Sequence, residues 1–200
     1  MKEKDLLELR RQVLHMMVGT VIVLLFLNDF LDLLSFFLLV LLGAFLSFVS
    51  KFVELPIVGN FIYFFERKKD KKTFPGRGII FFGAGALLVL KLFSMDIALA
   101  SIMILTFADS ISNVVGTHFG KIKNPFDEKK KLEGNIAGFL IGSLIASTFV
   151  EPILAIFGSL IAMIFESVSI KVSEERVDDN LIVPLIAGTM MYILRIYFLS

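Results

Sequence analysis

Long apolar stretches, divided by short polar breaks that carry glycine or proline, dominate this chain. The charge-free runs Leu33–Ser50, Gly78–Leu90, Ile97–Ala108, Asn135–Val150 and Pro152–Phe165 approach the roughly 20 residues that cross a bilayer core. Others reach that length once their polar ends are counted. Seven helical spans are therefore expected, at about 12–27, 31–50, 78–93, 97–117, 135–150, 152–168 and 181–199. Asn28, Asp29 and Asp32 mark the first turn, and Pro152 opens the sixth span directly after Glu151. The segment Lys51–Glu66 is apolar but broken by Pro56 and Gly59, and its aromatic end reads as an interfacial or half-inserted helix. The basic run Arg67–Lys72 follows it. No solenoid repeat, low-complexity tail or loop long enough to fold alone is visible. The fold class expected is an all-α, polytopic transmembrane bundle, one membrane-embedded domain over residues 1–200.

Composition agrees with the pattern. The 200 residues are 56% hydrophobic with 22 Phe, and the mean hydropathy is +0.84. A soluble domain stands nearer 45–50% apolar. With no cysteine, disulfides, thiolate metal sites and cysteine nucleophiles are excluded. Residues Met1–Asp5 mix acid with base and no small-residue cleavage site follows, so a removable signal peptide is not expected. The net charge is only +1, yet it is unevenly placed. With the N-terminus inside, eighteen of the twenty Lys and Arg fall on inner segments, and only Lys91 and Arg195 lie toward the outside. The positive-inside rule then gives an N-in, C-out protein of the cell membrane with its polar clusters facing the cytoplasm. No nucleic-acid partner is expected.

Asp109 interrupts this apolar background. Twelve uncharged residues, Ile97–Ala108, precede it, and a carboxylate at that depth costs a few kcal/mol or more unless it is paired, metal-bound or water-lined. Asp109, Asn113, Gly116 and Gly120 fall within about 60° of one another on a helix, a narrow polar face where a ligand could approach the backbone. Helix packing could account for the glycines, but it accounts poorly for Asp109. Four further polar clusters sit at inner helix ends. Glu8, Arg11, Gln12, His15 and Gly19 form one stripe of the first helix. Pro75-Gly76-Arg77-Gly78 heads the third span, where free N–H groups favour an anion. Lys129–Gly134 precedes the fifth, with Glu133 and Gly134 at its mouth. Glu166 lies at i−3 and i−7 from Ser169 and Ser173, ahead of Asp178-Asp179-Asn180. Those last three residues suit either a helix N-cap or a magnesium site. Gly116–Lys121 is one residue short of a Walker A run, and Ile122 stands where Ser or Thr is needed.

In order along the chain, these motifs resemble the dolichol kinase, phytol kinase and CTP-dependent diacylglycerol kinase family. Glu8-x-x-Arg11-x-x-x-His15 is similar to its acidic–basic–histidine opening. Phe74-Pro75-Gly76-Arg77-Gly78 resembles its proline–glycine–basic–glycine turn, with arginine where lysine is common. Asp109 through Gly120 resembles its Asp-x-x-Ala-x-x-x-Gly-x-x-x-Gly segment, with Ser112 in place of alanine. Lys130–Asn135 is similar to Lys-Ser-x-Glu-Gly-Ser, and Asp178-Asp179-Asn180-Leu181-x-x-Pro184 to the C-terminal signature.

The resemblance implies a kinase that uses CTP to phosphorylate the hydroxyl of a membrane lipid alcohol such as dolichol, polyprenol, a related isoprenol or diacylglycerol. Mg²⁺ is the expected cofactor, on Asp109 with Asp178, Asp179 and Asn180. The nucleotide and its phosphates are expected on Arg11, His15, Arg77, Gly78, Asn113, Gly116, Gly120, Lys121, Lys131 and Gly134. Asp109, Glu133 and Glu166 are the expected catalytic acids, with the last two open between proton acceptor and metal ligand. Other readings are a cytidylyltransferase making a CDP-lipid, a transporter with Asp109 as its ion site, and a structural membrane subunit. The family resemblance favours the kinase.

Overall fold

A computed structural model describes residues 3–53, 55, 59–60, 64–66, 74–128, 130–168, 171–172 and 175–198. Arg67–Lys72, Lys129, Ser169 and Ser173, all used above, lie outside the described residues, as does much of 54–63. Among the described residues, seven long helices stand where the seven spans are expected. They are α1 (Glu3–Leu27), α2 (Leu33–Val49), α3 (Arg77–Leu92), α4 (Met95–Phe119), α5 (Leu132–Ala146), α6 (Pro152–Ser167) and α7 (Asp179–Phe198). The all-helical expectation needs one small addition. Between α6 and α7, β1 (Lys171–Val172) pairs antiparallel with β2 (Glu175–Arg176), Lys171 opposite Arg176.

Among the described residues, three helices are long and apolar enough to cross a membrane: Asp5–Leu27, Met95–Phe119 and Asp179–Phe198. The other four, with 17, 16, 15 and 16 residues, are shorter than the roughly 20 a bilayer core asks for. Local chemistry trims them. The Asp32 carboxylate accepts the N–H of Ser35 at 2.7 Å and starts α2, while Asp29 adopts φ 56° in the turn before it. Pro152 fills the first turn of α6, where its missing N–H costs no bond. Gly76 heads α3 at φ 76°, a left-handed conformation that a Cβ would strain.

Burial identifies the central element. Within α4, Ile97, Ala98, Leu99, Ala100, Ile102, Ile104, Leu105 and Ala108 are all buried. On α2, by contrast, Leu34, Phe37, Leu38, Leu41, Phe45 and Phe48 are exposed. So broad an apolar surface is the mark of a membrane protein. The α1 helix packs on α4, α5 packs on α4 and α6, α7 joins α6 to α3, and α2 leans on α3.

Two features of α4 position the site. First, Ile104–Asp109 forms a π-helical turn that ends at Asp109. Such a wider turn re-aims the side chains that follow it. The Thr106 hydroxyl, donating to the Ile102 carbonyl at 2.6 Å, engages the local backbone. Second, Ala108, Ser112 and Gly116 on α4 meet Gly134, Gly138 and Gly142 on α5, four residues apart on both helices. A Cβ at Gly134 would stand 2.3 Å from the Ser112 carbonyl oxygen, and one at Gly138 2.6 Å from that of Ala108. This is a small-residue seam of the kind that lets membrane helices approach closely.

At the opposite end of α4, Arg195 pairs with Asp96 at 2.6 Å and Glu151 at 3.2 Å. It thereby ties α7 to the start of α4 and to the α5–α6 turn.

Candidate active site

The polar clusters converge because the N-terminal ends of α1, α3 and α7 meet α4 near Asp109. Between them lies a cavity of about 100 Å³. Arg11, Gln12, His15 and Val18 of α1 form one wall, and Gly78, Ile79 and Phe82 of α3 another; Asp109, Asn180 and the short Phe65–Glu66 stretch close it. Five residues expected in the site, Arg11, His15, Gly78, Asp109 and Asn180, therefore share one space although 169 positions separate the first from the last.

The helical stripe of α1 works as its spacing suggests. Arg11 Nη1 contacts Glu8 Oε2 at 3.0 Å, and buried Gln12 donates to Glu8 Oε1 at 3.0 Å. His15 meets the Phe82 ring edge-on at 4.6 Å. Its Nε2 is buried and finds no hydrogen-bond partner among the described residues. Asn113 lies one turn below Asp109 and donates to Asp109 Oδ1 at 3.1 Å and to its carbonyl at 2.9 Å. The charged neighbours of Asp109 are Glu166, Asp179, Lys130 and Arg11.

Beside the cavity, Lys130 joins two of those acids. Its Nζ makes a close ion pair with Glu166 and lies 3.5 Å from Asp179. Glu166 is 2% exposed and also accepts from Asn135 Nδ2 at 2.8 Å. Asn124, buried too, donates to Asn135 Oδ1 at 3.0 Å and to Ser167 Oγ at 2.9 Å. The loop after α4 is thereby fastened to α5 and α6. On the other flank, Arg77 Nε contacts Asp178 Oδ2 at 3.1 Å, and its guanidinium lies over the Phe81 ring. Asp178 Oδ1 accepts the Asn180 backbone N–H at 3.2 Å and its side-chain amide at 2.8 Å, so this acid caps α7. The Asn180 amide also reaches the Gly78 carbonyl at 3.4 Å.

Other expected residues do not reach the cavity. Glu133 accepts the N–H groups of Lys121 at 2.9 Å and Ile122 at 3.0 Å, ahead of the apolar part of α5. The Lys121 amide is the main reason its carboxyl lies below the ordinary glutamate value. Gly116, Gly120, Gly134 and the Lys131 stem face one another across the α4–α5 seam. Gly116 has Lys131 Cβ 3.5 Å from its missing Cβ, so α5 occupies the face that periodicity left open to a ligand.

No protein-family model and no solved structure matches the chain. Curated sequences do. An uncharacterized protein of Methanocaldococcus jannaschii is 34% identical over 186 residues, covering 90% of this chain and 91% of that one. CTP-dependent diacylglycerol kinase 1 of Schizosaccharomyces pombe is 26% identical over 145 residues, 64% of each chain. The probable chloroplastic phytol kinase of Triticum aestivum is 27% identical over 135 residues, 59% of this chain and 44% of that one. The chain belongs to the polyprenol, phytol and diacylglycerol kinase-like family. Its matches span less than two thirds of these two named kinases.

For a member of this kinase-like family, the donor set suits a hard cation in part. Asp109 and Asp179 supply carboxylates and Asn180 an amide oxygen, while Asp178 is held by Arg77 and Asn180. No group of three or more Asp, Glu or His side chains gathers as a metal cluster among the described residues. Mg²⁺ nevertheless binds through one or two carboxylates when substrate phosphates complete its shell, so these residues fit it. Sequence reasoning missed Glu66, Asn124 and the pairing of Lys130. Glu66 closes an aromatic run that reads as an interfacial helix end. Asn124 sits in a loop, where amides usually meet water.

Proposed function

We propose that the chain is one membrane-embedded domain, N-in and C-out, that transfers the γ-phosphoryl group of CTP to the hydroxyl of a membrane lipid alcohol at the cytoplasmic face. Dolichol, polyprenol and related isoprenols, together with diacylglycerol, are the acceptor class. One observation carries this reading: Arg11, His15, Gly78, Asp109 and Asn180, drawn from four helices, line a single cavity. The names of the relatives support CTP as donor and a lipid alcohol as acceptor.

Phosphoryl transfer asks a protein for positioning and charge neutralisation. Asp109, Asp179 and Asn180 would hold Mg²⁺, which would neutralise phosphate charge. Asp109 is oriented for this by Asn113, and Asp179 by Lys130. Arg77, on the rim beside Asp178, meets phosphate oxygens, and Lys121 and Lys131 add positive charge from the loop after α4. Glu166, paired with Lys130 and Asn135, holds that lysine in place.

The test uses purified protein in detergent with Mg²⁺ and γ-labelled CTP or ATP, together with isoprenols of increasing length and diacylglycerol. Label is expected in the lipid phase from CTP. Asp109→Asn is expected to cut turnover about 100-fold or more, the scale of losing a transition-state charge contact, with its elution profile unchanged. Near-normal turnover by that variant refutes the assignment. Transfer of α-label into a CDP-lipid, with pyrophosphate released, establishes the cytidylyltransferase instead.

A further inference from the structure

We propose that the turn between α4 and α5 is a surface arm that docks on anionic lipid headgroups, with Ile122 and Phe126 entering the bilayer interface and Lys123 meeting a lipid phosphate. This goes beyond the kinase reading and stands or falls apart from it.

The arm has a fixed base. The Asn124 N–H donates to the Lys130 carbonyl at 3.0 Å and the Leu132 N–H to that of Ile122 at 3.0 Å, which sets Lys123 opposite Lys131 in an antiparallel bridge. At the tip, the Lys130 N–H donates to the Asp127 carbonyl and the Phe126 N–H to Asn124 Oδ1, both at 2.9 Å. The buried Asn124 amide, bonded to Asn135 and Ser167, fastens this arm to α5 and α6. Glu133 holds its first residues through the Lys121 and Ile122 amides. Phe126 is thus presented on a built turn.

The arm's apolar residues face outward. Phe119, at the end of α4, Ile122 and Phe126 are each more than half exposed. Clustered exposed apolar groups mark a docking surface, and the neighbouring helix names the medium. On α5, Leu132, Ile136, Leu140 and Leu144 are exposed at intervals of four, one lipid-facing stripe of the helix. Ile122 stands opposite Leu132 in the arm, so this stripe continues past the start of α5.

Charge selects the kind of lipid. Lys123 and Lys131 form the non-hydrogen-bonded pair of the bridge, the pairing that brings facing residues closest. Like charges set opposite one another destabilise a strand pair, and an anion beside them relieves that cost. Lys123 meets Glu128 at 2.9 Å, but both side chains are largely exposed. Such a pair contributes little and exchanges readily for a phosphate. Lys130 is turned the other way, to Glu166 and Asp179. Lys123 therefore remains for the surface, with apolar neighbours on either side.

The chain has no tryptophan, so full-chain Phe126→Trp carries one fluorophore at the tip, and Ile122→Trp gives a second position. Each is placed at one copy per nanodisc, in phosphatidylcholine alone or mixed with phosphatidylglycerol. In the anionic discs emission should move to shorter wavelength, lipid brominated near the headgroup should quench it, and acrylamide should not. Lys123→Gln in the same chain should lower the ratio of docked to free tip about 5-fold, the equivalent of ~1 kcal/mol per basic residue at an anionic leaflet. High salt should act in the same direction. Unchanged thermal unfolding of Lys123→Gln shows that the fold is intact. Equal emission and quenching in the two discs overturn the anionic docking. Quenching by acrylamide and not by lipid in both discs leaves the tip in water and overturns it as well. A shift seen only in discs holding two copies gives the face to a second copy of the chain instead. None of these readouts uses phosphoryl transfer, so a failure here leaves the kinase reading standing.

Discussion

Replacing Lys130 with methionine tests the ion pair that joins the loop after α4 to the buried end of α6. The Lys130 side chain is 16% exposed and that of Glu166 1%, so the carboxylate has no water to fall back on and the ammonium little. Removing the lysine leaves the Glu166 carboxyl buried, with Asn135 its remaining donor among the described residues, and leaves Asp179 without its 3.5 Å contact. Breaking one side of a buried pair costs about 3–5 kcal/mol. For a chain of this size each kcal/mol lowers Tm by about 2–4 °C, so Lys130→Met should unfold roughly 6–20 °C earlier in mild detergent. Glu166→Leu added to it removes the stranded charge and refills the volume. The double variant should therefore recover most of the loss, apart from about 1 kcal/mol for the Asn135 amide bond. The assay is thermal unfolding of wild type, both single variants and the double variant, at low and high salt. The pair is shielded from solvent, so salt should change little. A loss below about 1 kcal/mol for Lys130→Met, or losses that simply add in the double variant, would refute the account of a desolvated, coupled pair.

Two other outcomes follow from the geometry. Gly134→Ala places a methyl 2.3 Å from the Ser112 carbonyl and should cost about 1–3 kcal/mol by overpacking; Gly116→Ala, whose nearest new contact is 3.5 Å away, should cost clearly less in the same unfolding assay. Glu133 has a lowered pKa in the folded chain, because the Lys121 and Ile122 amides favour its ionised form. Its contribution to stability is thus present above the ordinary glutamate value of about 4.3 and is lost as pH falls through the lower folded value. Glu133→Gln should flatten that acid dependence of Tm; an unchanged pH dependence would show that the loop contact carries no linkage.

The positions of all seven helices were legible in the chain, because apolar length, helical spacing and polar breaks are local properties. Asp32, Gly76 and Pro152 announced helix starts, and Glu8, Arg11, Gln12 and His15 announced one face of α1, since each acts within a turn or two of its own position. Asp109 stood out for the same reason: a carboxylate after twelve uncharged residues is a local anomaly. Other features depend on what the helices meet. Nothing local distinguishes α4 as the central helix from its equally apolar neighbours, and nothing local places its π-helical turn. Periodicity put Gly116 on the face of Asp109, but docking of α5 decided that Gly134 and Lys131 cover it. Glu166 reads as a helix-end acid until Lys130, 36 residues away, and Asn135, 31 away, close on it. Glu66 becomes part of a cavity only when α1 and α3 enclose it. The sequence alone thus determined which segments are helical and where polar groups are concentrated; tertiary structure decided which of those groups share a space, because contact between helices depends on side-chain fit across distant segments and not on spacing within one.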